Sequence, residues 1–231
     1  TAFLLSVIFA CLALQFGGNW YWLTLVQSLP FILVLSNWML SPYEKRIQNG
    51  CRERAEARLR EVNPTVIGIT GSNGKTSTKN MLRAALSQFG ETIAPRESFN
   101  NHVGAPLSML LTNEDTRYLV VELGADGLGS IDYLANMCKP DVAVELKVGL
   151  AHVGEFGGIE VTTKIKAELI KHIRAGGVLV YNSDDSYCTA MAEGFAGRKV
   201  SFGTGRADYQ ASGHRLSLEG TSADVQYPDG S

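Results

Sequence analysis

The stretch VIGITGSNGKTSTKNML, residues 66–82, combines a strand pattern, a glycine-rich turn and a helical pattern. Residues 65–70 favour a β-strand, and residues 75–89 repeat apolar side chains as an α-helix does. Glycines let the backbone approach a phosphate group closely, and the amide groups at the start of a helix point toward an anion. The stretch therefore predicts a phosphate-binding loop between a strand and a helix.

The side chains of this turn suit a nucleotide. Lys75 is expected to reach the β- and γ-phosphates, and the Thr76 hydroxyl is expected to bind Mg²⁺. The residues predicted to bind the nucleotide here are Gly71, Ser72, Asn73, Gly74, Lys75, Thr76 and Ser77. The strict G-x-x-x-x-G-K-[ST] spacing fails by one position, because Gly68 stands one residue too early. An ordinary glycine turn beside an exposed lysine is the alternative, which the flanking strand and helix disfavour.

The chain after residue 63 alternates strand and helix patterns. Further strands are predicted at 118–123, 141–146, 178–182 and 199–202, and further helices at 105–112, 130–137, 161–174 and 185–195. This alternation predicts an α/β fold of the P-loop type, with a parallel sheet covered by helices on both faces. From about residue 205 the pattern changes to short polar stretches, which predict an antiparallel extension.

The N-terminal part of the chain is apolar, and no Asp, Glu, Lys or Arg precedes Glu44. Two apolar runs are separated by Gly17-Gly18-Asn19. Trp20 and Trp38 lie near the ends of the second run, where interfacial aromatic residues belong in a membrane protein. Residues 1–42 are therefore predicted to form a helical transmembrane hairpin, and a buried hairpin in a soluble protein is the alternative.

The next segment, residues 43–63, carries six basic residues and four glutamates. Basic residues beside a membrane span favour the cytoplasmic side, and pairs such as Glu56 with Arg60 suit an exposed helix. The segment is predicted to be a basic amphipathic linker helix that keeps residues 64–231 on the cytoplasmic face. A plain solvated helix is the alternative.

The overall composition excludes one class of partner. The chain has 21 basic and 23 acidic residues and a net charge of −2, so a nucleic-acid partner is not expected. Its four cysteines are scattered without a C-x-x-C pair, which indicates neither a zinc site nor a disulfide framework. Because the chain starts at Thr1 and stops after a polar stretch at Ser231, it is expected to be a piece of a longer protein.

Several blocks of the sequence resemble the Mur ligases. The blocks are GITGSNGKTSTK (68–79), SFNNHVGAPLSML (98–110), VVELGADGLGSI (120–131), VGLAHVGEFGGIEVTTKIKAEL (148–169) and VLVYNSDD (178–185). The second and third blocks look specifically like the MurF type. The resemblance implies that residues 64–231 are the central ATP-binding domain of such a ligase, incomplete at its C-terminus, and that this piece alone is inactive.

The resemblance also implies a reaction and a location. A MurF-type ligase uses ATP to activate the carboxylate of a UDP-muramyl-peptide as an acyl phosphate. The amine of D-Ala-D-Ala then attacks this intermediate, which extends a peptidoglycan precursor. With the predicted hairpin, the protein is expected at the bacterial inner membrane, with its catalytic domain on the cytoplasmic face.

A set of metal ligands is implied in the same way. Glu122 ends an apolar strand and is expected to bind the Mg²⁺ that Thr76 also contacts; an exposed glutamate at a strand end is the alternative. His152 is expected to bind a second Mg²⁺, although a lone histidine is more often a surface or core residue. Lys166 matches a lysine that carries CO₂ as a carbamate, an anion able to bind Mg²⁺. The expected catalytic residues are Lys75, His152 and Lys166.

The resemblance also implies roles for other positions. Without the resemblance, Lys166 would be assigned to a solvated helix face. Asn182 is expected to read the adenine edge, and an Asn-Ser-Asp turn without a ligand is the alternative. Asn100 and Asn101 are expected on the muramyl-peptide side of the cleft. Glu145 departs from the family pattern, which usually has an apolar residue there, as does Lys147, where the family usually has Asn.

Two other functions stay open from the sequence. One is a Mur-like ligase that acts on another pair of carboxylate and amine, such as a lipid-linked murein peptide or a polyglutamate chain. The other is a membrane-anchored ATP-binding protein without catalytic activity. The filled family positions at Glu122, His152 and Lys166 disfavour the second.

Overall fold

The computed structural model describes residues 7–8, 19–95, 97–149, 157–217 and 220–228, and it describes side chains of the first helix from Val26 onward. The helices are α1 (Asn19–Val62), α2 (Lys75–Leu86), α3 (Gly104–Met109), α4 (Ser130–Cys138), α5 (Ile159–Ala167) and α6 (Ser186–Glu193), and a 3₁₀ turn spans Leu169–His172. The strands are β1 (Thr65–Thr70), β2 (Glu91–Ile93), β3 (Thr116–Glu122), β4 (Val142–Glu145), β5 (Val178–Asn182), β6 (Arg198–Gly203), β7 (Tyr209–Ser217) and β8 (Gly220–Gln226).

The eight strands form one sheet in the order β2-β3-β1-β4-β5-β6-β7-β8. Neighbouring strands from β2 to β7 are parallel, and β7 pairs with β8 in antiparallel fashion. The predicted parallel sheet is therefore confirmed. Strands β2 and β3 lie on one side of β1, and β4 and the later strands lie on its other side, so the strand order reverses at β1. In open sheets of this kind, ligands bind beyond the carboxyl ends of the strands at such a point.

Helices cover both faces of the sheet, as predicted. On one face, which we call the α4 face, the strands share a buried core with α4, α5 and the 3₁₀ turn. The core residues are Val66, Leu119, Val121, Ala143 and Leu179 of the strands, with Leu134, Ile165 and Leu169. On the opposite face, which we call the α2 face, Ile67, Ile69, Val120 and Val144 pack with Leu82 and Leu86 of α2. Since side chains of a strand alternate between the two faces, this assignment also fixes where its polar residues point.

Some elements differ from the sequence prediction in their extent. The helix predicted at 161–174 is divided into α5 and a 3₁₀ turn that ends at His172. The helix predicted at 105–112 stops at Met109. Strand β2 was not predicted, because three residues are too few to show an alternating pattern.

The N-terminal prediction needs correction. By internal contacts the chain divides into residues 1–50 and residues 51–231. Within the described residues, no helix has an apolar stretch long enough to cross a membrane. Helix α1 continues through Pro30 and Pro42, and it contains the polar residues Gln27 and Asn37. The transmembrane hairpin is therefore unsupported, and the predicted location at the bacterial inner membrane is wrong. Most of the first apolar run lies outside the described residues.

Candidate functional site

The loop between β1 and α2, residues 71–74, lies at the carboxyl end of the central strand and is held by the segment after β4. The Ser72 amide donates to the Lys147 carbonyl at 2.8 Å. The Ser72 hydroxyl accepts from the Gly149 amide at 2.8 Å. Gly71 and Gly74 have φ angles of 153° and 85°, which residues with a Cβ rarely adopt. The glycine-rich turn therefore has a shape that favours glycine, and the segment after β4 supports it.

The side chains of Lys75 and Thr76 begin helix α2 and point toward this loop and the next strand. The Lys75 ammonium donates to the Gly71 carbonyl at 2.7 Å. Burial lowers the pKa of Lys75, and the nearby Glu122 carboxylate partly opposes this effect. The Thr76 hydroxyl donates to Glu122 Oε2 at 3.2 Å. The two residues expected to share a metal ion are thus brought together, whereas Asn73 and Ser77 are exposed.

Glu122 is fully buried at the carboxyl end of β3, so the alternative of an exposed glutamate is wrong. Its Oε2 accepts from Thr76, and its Oε1 accepts no hydrogen bond from the residues that the structure describes. The Lys79 ammonium, which is also fully buried, lies 3.0 Å from Oε1 as an ion pair. Buried polar atoms normally have hydrogen-bond partners, and Mg²⁺ prefers carboxylate oxygens. The Glu122 carboxylate, paired with Lys79 and beside a threonine hydroxyl, therefore offers oxygen ligands that fit Mg²⁺.

Lys79 was missed in the sequence. It lies four residues after Lys75 and so shares its helix face, which was the available signal. A lysine in a helix is usually solvated, and for that reason it received no role. Its ammonium also donates to the Glu97 carbonyl at 3.1 Å.

A second buried pair lies on the α4 face. Lys166 is buried, with 3% of its surface exposed. The neighbouring Lys164 and Lys171 are exposed and fit a solvated helix face, whereas Lys166 does not. Glu145 follows Ala143 by two residues and is fully buried, and neither of its oxygens has a hydrogen-bond partner among the described residues. Burial lowers the pKa of Lys166 to about 8 against the attraction of Glu145. Burial likewise raises the pKa of Glu145 to about 8.

The second predicted metal site is incomplete within the described residues. His152 lies outside them. In the described ranges, no group of three or more His, Cys, Asp or Glu side chains could hold a metal ion. The metal roles of Lys166 and His152 therefore stay predictions.

The loop after β5 is organised by its own side chains. Asn182 Oδ1 accepts from the Asp184 amide at 2.9 Å, which forms the turn that the sequence allowed. Asp185 caps α6 by accepting from the amides of Tyr187 and Cys188, both at 3.0 Å, and it also accepts from the Val148 amide at 3.1 Å. The loop is therefore tied to the segment that follows β4. A role of Asn182 toward adenine stays a prediction.

Asn100 and Asn101 lie between β2 and α3. The Asn101 side chain accepts from the Val103 and Gly104 amides at 3.1 and 2.8 Å and so stabilises the start of α3. The Asn100 carbonyl accepts from the Gly124 amide at 2.8 Å, two residues after Glu122. Asn100 is thus placed near the buried carboxylate, whereas Asn101 has a structural role in this arrangement.

Gly71 provides a test of the loop shape. A Cβ at this position would lie 2.9 Å from Leu146 Cβ and 3.3 Å from the Lys147 amide nitrogen. Gly127 has a similar φ of 151°, but a Cβ there would meet no atom within 4 Å. Each alanine substitution is expected to cost about 1–3 kcal/mol in backbone strain. Steric overlap should add at least about 1 kcal/mol at Gly71.

Chemical denaturation of Gly71→Ala and of the control Gly127→Ala measures this difference. Because both substitutions carry similar backbone strain, the excess loss of stability in Gly71→Ala reports the contact with the segment after β4. Equal losses of stability in the two variants would contradict the tight approach of that segment to the loop.

The pair on the α4 face predicts a minimum of stability near pH 8. The pKa of Glu145 rises from 4.5 to about 8, so the folded protein keeps a proton that the unfolded chain releases, and the free energy of unfolding falls over this range. The pKa of Lys166 falls from 10.5 to about 8, so the free energy of unfolding rises again above that pH. Denaturation of the CO₂-free protein, in which Lys166 carries no carbamate, tests this between about pH 5 and pH 10, and Glu145→Gln should remove the fall in stability below pH 8. A monotonic profile would contradict it.

Comparison with known proteins places the chain in a family. Residues 69–231 match the Mur ligase middle domain. The chain is 46% identical over 136 residues to UDP-N-acetylmuramoyl-tripeptide–D-alanyl-D-alanine ligase of Mycobacterium bovis, which covers 59% of this chain and 27% of that protein. It is 36% identical over 171 residues to the protein of the same name from Bacillus subtilis, which covers 74% of this chain and 37% of that one.

Solved structures agree with these sequence matches. MurF from Acinetobacter baumannii superimposes with a TM-score of 0.75 at 33% identity, over 79% of this chain and 41% of that one. MurF ligase from Thermotoga maritima in complex with ADP gives a TM-score of 0.72 at 30% identity, over 79% of this chain and 43% of that one. The chain thus spans less than half the length of the relatives that it matches. Because the family match covers most of the residues, the chain belongs to the Mur ligase family.

Proposed function

We propose that the full-length protein is an ATP-dependent peptide ligase of the MurF type, which acts in peptidoglycan precursor synthesis. The observation that carries the proposal is the 3.2 Å contact between Thr76 and Glu122 beside the glycine-rich loop. It joins a hydroxyl at the start of a helix to a buried carboxylate at the reversal point of the sheet, where a Mg-nucleotide would bind. The relatives with this enzyme name support the choice of substrates.

The proposed reaction has two steps. A carboxylate oxygen of the UDP-muramyl-peptide attacks the γ-phosphorus of ATP, the bond to the ADP oxygen breaks, and an acyl phosphate forms. The amine of D-Ala-D-Ala then attacks the acyl carbon, loses a proton and displaces phosphate. Both steps concentrate negative charge, so the protein mainly has to position anions and balance their charge.

Residues of the loop and of α2 would supply part of that balance. The amides at the start of α2 would point at the phosphates, and the Lys75 ammonium, which contacts the Gly71 carbonyl at 2.7 Å, would turn to them. Mg²⁺, when bound, would neutralise the transferring phosphoryl group. Thr76 and Glu122 would hold one such ion, and Lys166 with His152 would hold a second.

The binding of a second metal ion would require a modified Lys166. Its neutral amine would attack CO₂ and release a proton to give a carbamate, and its pKa of about 8 makes the neutral amine available near physiological pH. A ¹³C carbamate resonance in protein equilibrated with labelled bicarbonate would support this. The resonance should be absent from Lys166→Met, and its absence from the wild type would refute the modification.

Other residues would contact the remaining parts of the substrates. Asn182 would read the adenine edge from the end of β5. Asn100, whose carbonyl is tied to Gly124 near Glu122, would face the acid substrate, and Asn101 would support this segment through the start of α3.

Phosphate release by the full-length protein tests the proposed activity. With ATP, Mg²⁺ and UDP-muramyl-tripeptide, release should require D-Ala-D-Ala, and the product should gain the mass of the dipeptide. Release stimulated by a different amine would replace this function with a Mur-like ligase of another specificity. ATP binding without any amine-dependent release would favour a non-catalytic ATP-binding protein.

A further inference from the structure

The environment of Glu122 contains more positive than negative charge. Lys79 lies 3.0 Å from Glu122 Oε1, and both side chains are fully buried. Lys75 is close enough for Glu122 to affect its pKa. Among the described residues, these two ammonium groups and one carboxylate give a net charge of +1 at the place where a divalent cation would bind.

Lys79 also cannot easily leave this position. Its ammonium donates to the Glu97 carbonyl at 3.1 Å, and it is enclosed between α2, the end of β3 and the segment that begins at Glu97. Thr76, one turn earlier, contacts both Glu122 and Ser98, each at 3.2 Å. The cation is therefore part of the packed structure and stays beside the carboxylate.

We propose that Lys79 is a built-in counter-cation that balances Glu122 in the absence of nucleotide, so that the site takes up a divalent cation only together with the nucleotide phosphates. A free divalent ion would meet a site that is already positive. A metal–nucleotide complex carries net negative charge, which the two lysines attract. The inference rests on the proposed function, because it takes Glu122 as a metal ligand.

A purely structural ion pair predicts a different result. If Lys79 served only to hold the fold together, its loss would loosen Glu122 and weaken metal binding. As a competing cation, Lys79 should instead reduce metal affinity, and its replacement should increase it. The sign of the change in affinity therefore separates the two roles.

Electron paramagnetic resonance of Mn²⁺ bound to the nucleotide-free, full-length protein is a direct test. Lys79→Met is expected to bind Mn²⁺ at least about tenfold more tightly than the wild type, because a neighbouring positive charge is removed. The control Lys164→Met removes an exposed lysine, changes the net charge equally, and should bind Mn²⁺ as the wild type does. The double variant Lys79→Met with Glu122→Gln should lose the gain.

Two results would overturn the inference: tight Mn²⁺ binding by the nucleotide-free wild type, or no gain in Lys79→Met. The first measurement needs no variant, so it decides the matter even if Lys79→Met fails to fold. Calorimetry of Mg-ATP with the wild type separates the two proposals. If Mg-ATP does not bind, the proposed function fails; if it binds and free Mn²⁺ also binds tightly, only the role of Lys79 fails.

Discussion

Glu122→Gln is expected to reduce the ligase activity of the full-length protein by a factor of about 10²–10³, since it removes a charge that would hold Mg²⁺ at the transferring phosphoryl group. The substitution preserves the shape of the side chain. It also leaves the Lys79 ammonium buried without its carboxylate, 3.0 Å from the new amide. A loss of about 3–5 kcal/mol in the free energy of unfolding is therefore expected as well.

The double variant Lys79→Met with Glu122→Gln separates the two effects. Because both charges are removed, stability should recover in large part, whereas activity should stay low. Chemical denaturation measures the stability, and D-Ala-D-Ala-dependent phosphate release measures the activity. If Glu122→Gln kept more than half of the activity, or if the double variant recovered activity together with stability, the role of Glu122 toward the metal would be contradicted.

Lys75→Met is expected to reduce kcat/KM for ATP by a factor of about 10³, because its ammonium would balance charge on the transferring phosphoryl group. The loss of stability should be small. Lys75 is only partly buried, and its hydrogen bond goes to a carbonyl of its own loop, Gly71, at 2.7 Å. Lys164→Met, on an exposed part of α5, is the matched control and should keep normal activity and stability.

The substitutions at Lys75 and Glu122 should differ in their effect on stability. One substitution should impair catalysis alone, and the other should impair both catalysis and folding. Steady-state kinetics with ATP as the varied substrate, combined with denaturation curves, distinguishes them. An activity of Lys75→Met within a few-fold of the wild type would show that the loop does not contact the reacting phosphates.

The sequence predicted those parts of the site that depend on local patterns. The run from Val66 to Lys75 has a strand period, turn glycines and a helical period in order, and each of these is set by neighbouring residues. Glu122 could be placed because apolar residues precede it and a glycine turn follows. For parallel strands, such an ending puts the side chain at the ligand edge of the sheet.

The parts that depend on tertiary packing could not be predicted. The position of Lys79 one turn after Lys75 does not by itself distinguish it from a solvated lysine, because its burial depends on β3 and on the segment at Glu97. Glu145 could be identified as a departure from the family, but its burial on the α4 face follows from the sheet order. The membrane prediction relied on hydropathy and on the aromatic and basic residues near the apolar runs, but the described part of the chain holds no helix with an apolar stretch long enough to cross a membrane.

The central claim is that the loop after β1 and the end of β3 form one site for a Mg-nucleotide. Isothermal titration calorimetry of the full-length protein with Mg-ATP tests it most directly. One nucleotide is expected to bind per chain, with binding heat that is strongly reduced in both Lys75→Met and Glu122→Gln and unchanged in Lys164→Met. No heat with the wild type, or equal heat in all four proteins, would contradict it.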